Sequence, residues 1–204
     1  MGVIRPRNRQ TPAPFESPSG ILDRVLQEKI MSLYVIRRLA QADEQFLWEM
    51  LYAALHVPEG HAPFPKEIVW EPDIAKYVRH WGKEGDAGFI AVDALTSLPV
   101  GAAWVRMFTA ENRGYGYVDD ETPELSMAVL PEYRAQGIGT DLLSHLIEDV
   151  RLQHRGLSLS VSSDNPAVHL YERLGFEVVG RNRGSLTMKK EFDAGDGGPC
   201  SSSD

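Results

Sequence analysis

The chain has 204 residues, 43% hydrophobic and 25% charged, a composition that fits one globular domain with extra segments and excludes a wholly disordered chain. A single cysteine, Cys200, excludes an internal disulfide framework and a multi-cysteine zinc site, and no apolar run approaches the roughly 18 residues that cross a bilayer. A formal net charge of -8 argues against nucleic acid as a partner, and nothing in the pattern calls for a membrane.

The charge is uneven: residues 1–30 carry a net +2, whereas 31–192 carry -7. An acidic body weakly suits a cationic acceptor, although most such surfaces are simply solvated. The first twenty residues, MGVIRPRNRQTPAPFESPSG, are rich in Pro, Arg and Ser, lack an apolar period and read as a disordered tail. They also lack the apolar core of a secretion signal, which leaves the cytoplasm as the expected location. ILDRVLQEKI (21–30) reads as a short amphipathic helix, and Met31 then opens a domain-like start. The expected organisation is an N-terminal tail or extension at 1–30, one domain at 31–192 and a disordered Gly/Ser tail at 193–204. Cys200 lies in that last tail with no ordered base beside it.

Between the tails, strands and helices alternate. LYVIRR (33–38) reads as a strand. Phe46, Leu47, Met50, Leu51 and Leu55 recur at helical spacing after Asp43, the expected cap of a helix over 43–55. HVPEGHAPFP (56–65) is a turn-rich loop. Pro72 suits the first position of a second helix carrying Ile74, Tyr77, Val78 and Trp81. Residues 88–95 and 100–108 read as strands joined by a tight turn at Thr96-Ser97, and 124–130 as another strand. Over 137–153, Leu142, Leu143, Leu146, Ile147 and Val150 make the clearest apolar stripe in the chain. LSLSV (157–161) alternates as a strand does. A helix follows from Pro166 to Leu174, with Asp164 or Asn165 as cap and Gly175 as stop. FEVVGR and SLTMKKEF close as a hairpin around Asn182-Arg183-Gly184.

The informative stretch is LPEYRAQGIGT (130–140), where a strand ends, a loop with two glycines follows and the amphipathic helix begins. Gly137 and Gly139 let the main chain approach a ligand, the helix start supplies free N–H donors, and Arg134 and Thr140 add polar groups. The same stretch also suits a helix start whose glycines merely pack. A P-loop is excluded because the string G-x-x-x-x-G-K-[ST] is absent, and a dinucleotide fingerprint because Leu142 stands where its third glycine belongs.

Arg-x-x-Gly-x-Gly at 134–139, preceded by SMAVLPEY and followed by a Leu-rich helix, resembles the acetyl-CoA motif of the GNAT family of N-acetyltransferases. LSLSVSSDNPAVHLYERLGFEVVGR (157–181), with Leu-Tyr-x-x-x-Gly-Phe at 170–176, resembles that family's next strand and helix. The resemblance implies an α/β fold: a mixed, mostly antiparallel sheet flanked by helices and splayed between its fourth and fifth strands, here 124–130 and 157–161. It implies acetyl-CoA as co-substrate and no metal, with acetyl transfer to a primary amine of a small molecule or peptide. Met127, Ala128 and Val129 would then offer main-chain groups to the pantetheine arm. The amides of Arg134, Ala135, Gln136, Gly137, Ile138, Gly139 and Thr140 would hold the pyrophosphate. Tyr171 matches the family's usual acid, or else is a core tyrosine. Asn165 stands near the family's Asn and either contacts the co-substrate or caps the helix. Where some members carry a Glu, the strand here has Ser160, which cannot act as a base unaided. Glu124 is the next candidate base, or else an exposed strand-end carboxylate. A non-catalytic acyl-CoA-binding domain of the same fold is the alternative. Acceptor selection would fall to Trp48, Tyr52, His56, His61, Phe64 and Trp70. Many members are homodimers, an assembly that no seam or heptad in this chain marks.

Overall fold

The computed structural model of the protein describes residues 34–192. Both tails, Met31, the helix read at 21–30 and Cys200 lie outside the described residues. The strands are β1 (Tyr34–Arg38), β2 (Ala87–Asp93), β3 (Pro99–Arg106), β4 (Glu124–Val129), β5 (Gly156–Ser162), β6 (Glu177–Asn182) and β7 (Ser185–Glu191). The helices are α1 (Glu44–Ala54), α2 (Pro72–Ala75), α3 (Ile138–Val150) and α4 (Val168–Arg173). These strands form one sheet in the order β1-β2-β3-β4-β5-β7-β6, with every neighbouring pair antiparallel except β4 and β5. None of the described helices is long and apolar enough to cross a membrane.

Helices cover both faces, so the central strands are buried twice over. On one face Leu142, Leu143, Leu146 and Val150 of α3 pack with Ala103, Val105, Leu157, Leu159 and Met188. On the other, Leu47, Met50 and Leu51 of α1 pack with Ala102, Trp104, Val69 and Val78. This explains the continuous apolar run of β3, whose alternate residues serve the two cores. It also changes the meaning of the alternation in β5: Ser158 faces no solvent and is fully buried.

Two local expectations are corrected by tertiary contacts. Asp43 does not cap α1 with its side chain. Its carboxylate instead accepts from the Ala40 amide at 2.8 Å and from both terminal nitrogens of Arg37 at 2.7 and 2.8 Å. The second helix ends at Ala75 rather than reaching Trp81, because side chains of β3 take the carbonyls that would have continued it. Trp104 Nε1 donates to the Tyr77 carbonyl at 3.0 Å. Arg106 donates to the carbonyls of Lys76, Arg79 and His80 at 2.8, 2.9 and 3.2 Å. It also pairs twice with Asp86, at 2.9 and 2.5 Å.

The end of α4 follows the sequence closely. The Phe176 amide donates to the Tyr171 carbonyl and the Gly175 amide to the Glu172 carbonyl, both at 3.0 Å, with Gly175 left-handed at φ 84°. This is the two-bond helix stop, and its customary apolar contact is the edge-on pair of Tyr171 and Phe176 at 5.8 Å. The Tyr-x-x-x-Gly-Phe string therefore encodes a rigid mount for Tyr171.

Arg106 is the main tie between β3 and the turn that carries Tyr77. Arg106→Met leaves the Asp86 carboxylate, only 3% exposed in this fold, without its counter-charge. We expect a loss of about 3–5 kcal/mol in urea denaturation, far beyond an exposed ion pair.

Candidate active site

β4 and β5 share one register position, Glu124 opposite Ser158, next to which the Ser158 amide donates to the Pro123 carbonyl at 3.0 Å. Beyond it the ladder stops. On its other side β4 stays paired with β3: the Leu130 amide donates to the Val100 carbonyl at 2.9 Å. The alternation of that ladder turns the main chain of Ser126 and Ala128 toward β3 and that of Met127 and Val129 into the gap. Ala128 lines the gap, but its amide and carbonyl belong to Ala102, which corrects its expected role as a main-chain partner of a ligand. The gap is a cleft of about 1040 Å³.

One end of the cleft is the loop into α3. Gly137 sits at φ 86° and Ala135 at φ 60°. The first bond within the helix runs from the Asp141 amide to the Gly137 carbonyl at 3.1 Å, so the amides of Ile138, Gly139 and Thr140 precede it. Gly137 is required by its left-handed conformation. Gly139 is not forced by packing, since a Cβ there would meet only ordinary contacts, Leu170 and Met127 at 3.7 Å. Arg134 Nε donates back to the Val129 carbonyl at 3.0 Å, and Arg173 of α4 adds a second guanidinium to the wall. Gln136 is not among the residues that line the cleft, and its side-chain Nε2 donates to the Glu132 carbonyl at 3.1 Å.

At the point where the strands meet lies Glu124, 3% exposed, which overturns its reading as an exposed strand-end carboxylate. Oε1 accepts from the Tyr77 hydroxyl and the Gly116 amide, each at 2.7 Å. Oε2 is buried and has no hydrogen-bond partner among the described residues. Burial pushes the carboxyl up to about 7, against the lowering effect of those hydrogen bonds and of nearby Lys76. The loop over it runs Gly114-Tyr115-Gly116-Tyr117, and both glycines are needed for space. A Cβ on Gly114 would overlap Glu124 Oε2, and one on Gly116 the main chain of Leu159 and Ser160. The Tyr77 hydroxyl also accepts from the Tyr115 amide at 2.6 Å, which fixes its proton toward Glu124.

Tyr171 presents its ring to the same cleft and is 7% exposed. Burial alone pushes its phenol up to about 12, so it stays protonated at neutral pH. Asn165 lines the cleft while Oδ1 accepts from the Ala167 amide at 2.9 Å, the contact of a helix cap. Asp164 turns instead to His56, whose Nε2 lies 3.2 Å away without hydrogen-bond alignment. Of the aromatic and histidine residues expected to select the acceptor, His56 and Phe64 reach the cleft. Trp48 and Trp70 pack on each other with centroids 4.4 Å apart and planes tilted by 38°, and Tyr52 donates to the Phe64 carbonyl at 2.6 Å. Tyr77 and Tyr115 were not legible as site residues; the closely spaced glycines at 114 and 116 were the available signal.

Residues 84–178 match the acetyltransferase (GNAT) domain family. This segment is a GNAT domain. The [ribosomal protein bS18]-alanine N-acetyltransferase of Escherichia coli (strain K12) is 44% identical over 78 residues, 35% of this chain and 51% of that protein. The chain thus spans about half the length of the curated relatives it matches. The crystal structure of the ribosomal-protein-S18-alanine N-acetyltransferase from Escherichia coli aligns at TM-score 0.52 and 20% identity over 78% of this chain and 93% of that one. The PaiA N-acetyltransferase of Thermoplasma acidophilum, in complex with coenzyme A, aligns at 0.55 and 16% over 78% and 99%. At such identities the likeness is one of fold, and the fold is the GNAT sheet with its parallel fourth and fifth strands. Among the described residues no group of three or more His, Cys, Asp or Glu stands together as a metal site.

The raised Glu124 carboxyl has a consequence for stability. The protonated form is favoured by folding, so its contribution is full below pH 4.5 and is lost as pH rises through about 7. Comparing wild type with Glu124→Gln by urea denaturation, we expect the wild type to lose about 3 kcal/mol relative to the variant between pH 4.5 and pH 8. A constant difference across that range contradicts the raised carboxyl.

Proposed function

We propose that this GNAT domain is an acetyl-CoA-dependent N-acetyltransferase that moves the acetyl group directly from the thioester to a primary amine. The carrying observation is the sorting of chemistry along one cleft. Helix-start amides and Arg134 lie at the α3 side, the main chain of Met127 and the Val129 amide face the middle, and a desolvated carboxylate closes the other side, with Arg173 of α4 also in the lining. An extended molecule with phosphates at one end, amide groups along its arm and a thioester at its tip fits that order.

In this reading the α3 amides and the two arginines hold the phosphates. The main chain of Met127 and the Val129 N–H bond the amides of the arm, and one of these N–H groups polarises the thioester carbonyl. Glu124 takes the first proton from the acceptor ammonium and passes it to solvent. The freed nitrogen attacks the carbonyl carbon, the C–N bond forms and the C–S bond breaks. The nitrogen's second proton ends on the sulfur. A phenol near 12 holds its proton more tightly than an ordinary thiol, near 8.5, so Tyr171 acts first as a hydrogen-bond donor to the departing sulfur. Net, an ammonium and a thioester give an amide, a thiol and one proton.

Three measurements test the assignment. Acetyl-CoA at a hundred times its Kd should stabilise the wild type by about 2.7 kcal/mol, and Gly137→Asp, which sets a carboxylate against the phosphates, should abolish that shift. Tyr171→Phe should lower kcat about 100-fold or more with the acetyl-CoA Kd unchanged within about threefold. At saturating amine, kcat should climb with pH to a plateau above about 7, and Glu124→Gln should remove that limb. Unchanged turnover in either variant removes that residue from the mechanism.

A further inference from the structure

On the α1 side of the sheet, the cleft wall around Glu124 is built of Leu51, Leu55, Phe64, Ile74, Tyr77 and Tyr115. The Tyr77 and Tyr115 rings stack at 6.2 Å with 5° between their planes, and Phe108 meets Tyr77 edge-on at 4.9 Å. Of the wall's polar atoms, the Tyr77 hydroxyl bonds Glu124 and the Tyr115 amide, and Glu124 Oε1 is used by Tyr77 and Gly116. What remains is a largely apolar surface, beneath which the unpartnered Glu124 Oε2 is buried under Gly114, with His56 Nε2 as the other unpartnered buried side-chain atom of the lining. Tyr115 is 63% exposed, so its ring borders the opening to solvent.

This surface discriminates among amines. A peptide brings an N–H and a C=O with every residue, and each needs a partner when buried. A polyamine brings further ammonium groups, yet Glu124 is the one carboxylate among the residues lining the cleft. An ammonium on a hydrocarbon or aromatic body satisfies both demands, because the charge meets Glu124 and the body meets the wall.

We infer, resting on the acetyltransferase reading above, that the acceptor is a primary monoamine with an apolar body, an alkylamine or arylalkylamine. Its nitrogen lies at Glu124 and its body against Phe64, Ile74 and Tyr115. The bond changes are those of the transfer already described; the wall selects the body of the acceptor.

The experiment uses the full chain at saturating acetyl-CoA, with thiol release as readout and acetyl-CoA binding measured by calorimetry on the same preparation. The panel is ethylamine, butylamine, hexylamine and phenethylamine, set against spermidine and a hexapeptide with a free N-terminal alanine. We expect kcat/KM to rise about fourfold per methylene along the alkyl series. Phenethylamine should exceed spermidine and the peptide by at least tenfold. Phe64→Ala and Tyr115→Ala should flatten the rise while leaving the acetyl-CoA Kd unchanged. A flat series, or faster turnover of spermidine or the peptide with acetyl-CoA binding intact, overturns the acceptor class alone. Intact binding with no thiol release from any monoamine overturns it as well. Absence of both binding and thiol release across the panel overturns the acetyltransferase reading together with this inference.

Discussion

β4 and β5 meet at one pair, Glu124 with Ser158, and then part, and the rest of the molecule is arranged around that parting. A sheet interior normally uses every main-chain donor and acceptor, because an unpaired buried group costs as much as a lost hydrogen bond. Here the edge of β4 at Met127 and the Val129 amide is left open on one side, the Val129 carbonyl being taken by Arg134, while its other side is laddered to β3. The opening is kept wide from below, where Ile138, Leu170 and Tyr171 pack into the α3-side core beside Leu159 and Val161. It is closed off at the narrow end by Gly116, whose main chain lies too close to Leu159 and Ser160 for any side chain. An open edge held by packed helices and a glycine loop is a groove for an extended ligand with amide groups of its own.

The second dependence runs through charge. A carboxylate at the bottom of such a groove is desolvated, and Glu124 is held there by a chain of contacts that starts on another strand. Arg106 and Trp104 of β3 take the carbonyls of the turn after α2. That turn sets Tyr77, Tyr77 donates to Glu124, and the Tyr115 amide fixes the direction of that donation. Only one oxygen of the carboxylate is thereby satisfied, and the other is kept bare by Gly114. The outcome is a group near neutrality in its proton affinity, the property a general base needs at physiological pH. Under the proposed mechanism the serine at 160 on β5 is no sign of lost chemistry, because Glu124 of β4 would supply the carboxylate.

Those contacts also explain which parts of the molecule were legible in the residues. The stripe Leu142-Leu143-Leu146-Ile147-Val150 and the stop at Gly175-Phe176 are local patterns whose structural meaning needs no distant partner, and helix and stop stand where they were read. The loop 134–140 carries its geometry in Gly137. By contrast, Ile74, Tyr77, Val78 and Trp81 keep helical spacing although the helix ends at Ala75, because the side chains that unwind it come from residues 104 and 106. Asp43 looks like a cap until Arg37 of the neighbouring strand claims it. Glu124 reads as a strand-end acid because nothing near it in sequence reveals the Tyr77 side chain or the glycine loop above it. In each case the missing information is a contact from outside the element, from six residues away for Asp43 to 47 for Glu124 and Tyr77.

The same division separates the two halves of the cleft. The residues that would hold the acyl donor, from Met127 to Tyr171, lie within the segment 84–178 that matches the GNAT family. Most of the wall facing Glu124 does not: Leu51, Leu55, Phe64, Ile74 and Tyr77 precede that segment, in α1, in α2 and in the chain beside them. A shared donor half needs a conserved shape, since its ligand does not change, whereas an acceptor half built from turns and short helices can change its surface without disturbing the sheet. The structural likeness to an enzyme whose name specifies a ribosomal-protein alanine is one of fold at 20% identity, and the acceptor has to be argued from this chain's own wall. That wall is largely apolar and aromatic with a single buried carboxylate, and under the proposed function its chemistry, more than the ancestry of the sheet, would decide which amine is acetylated.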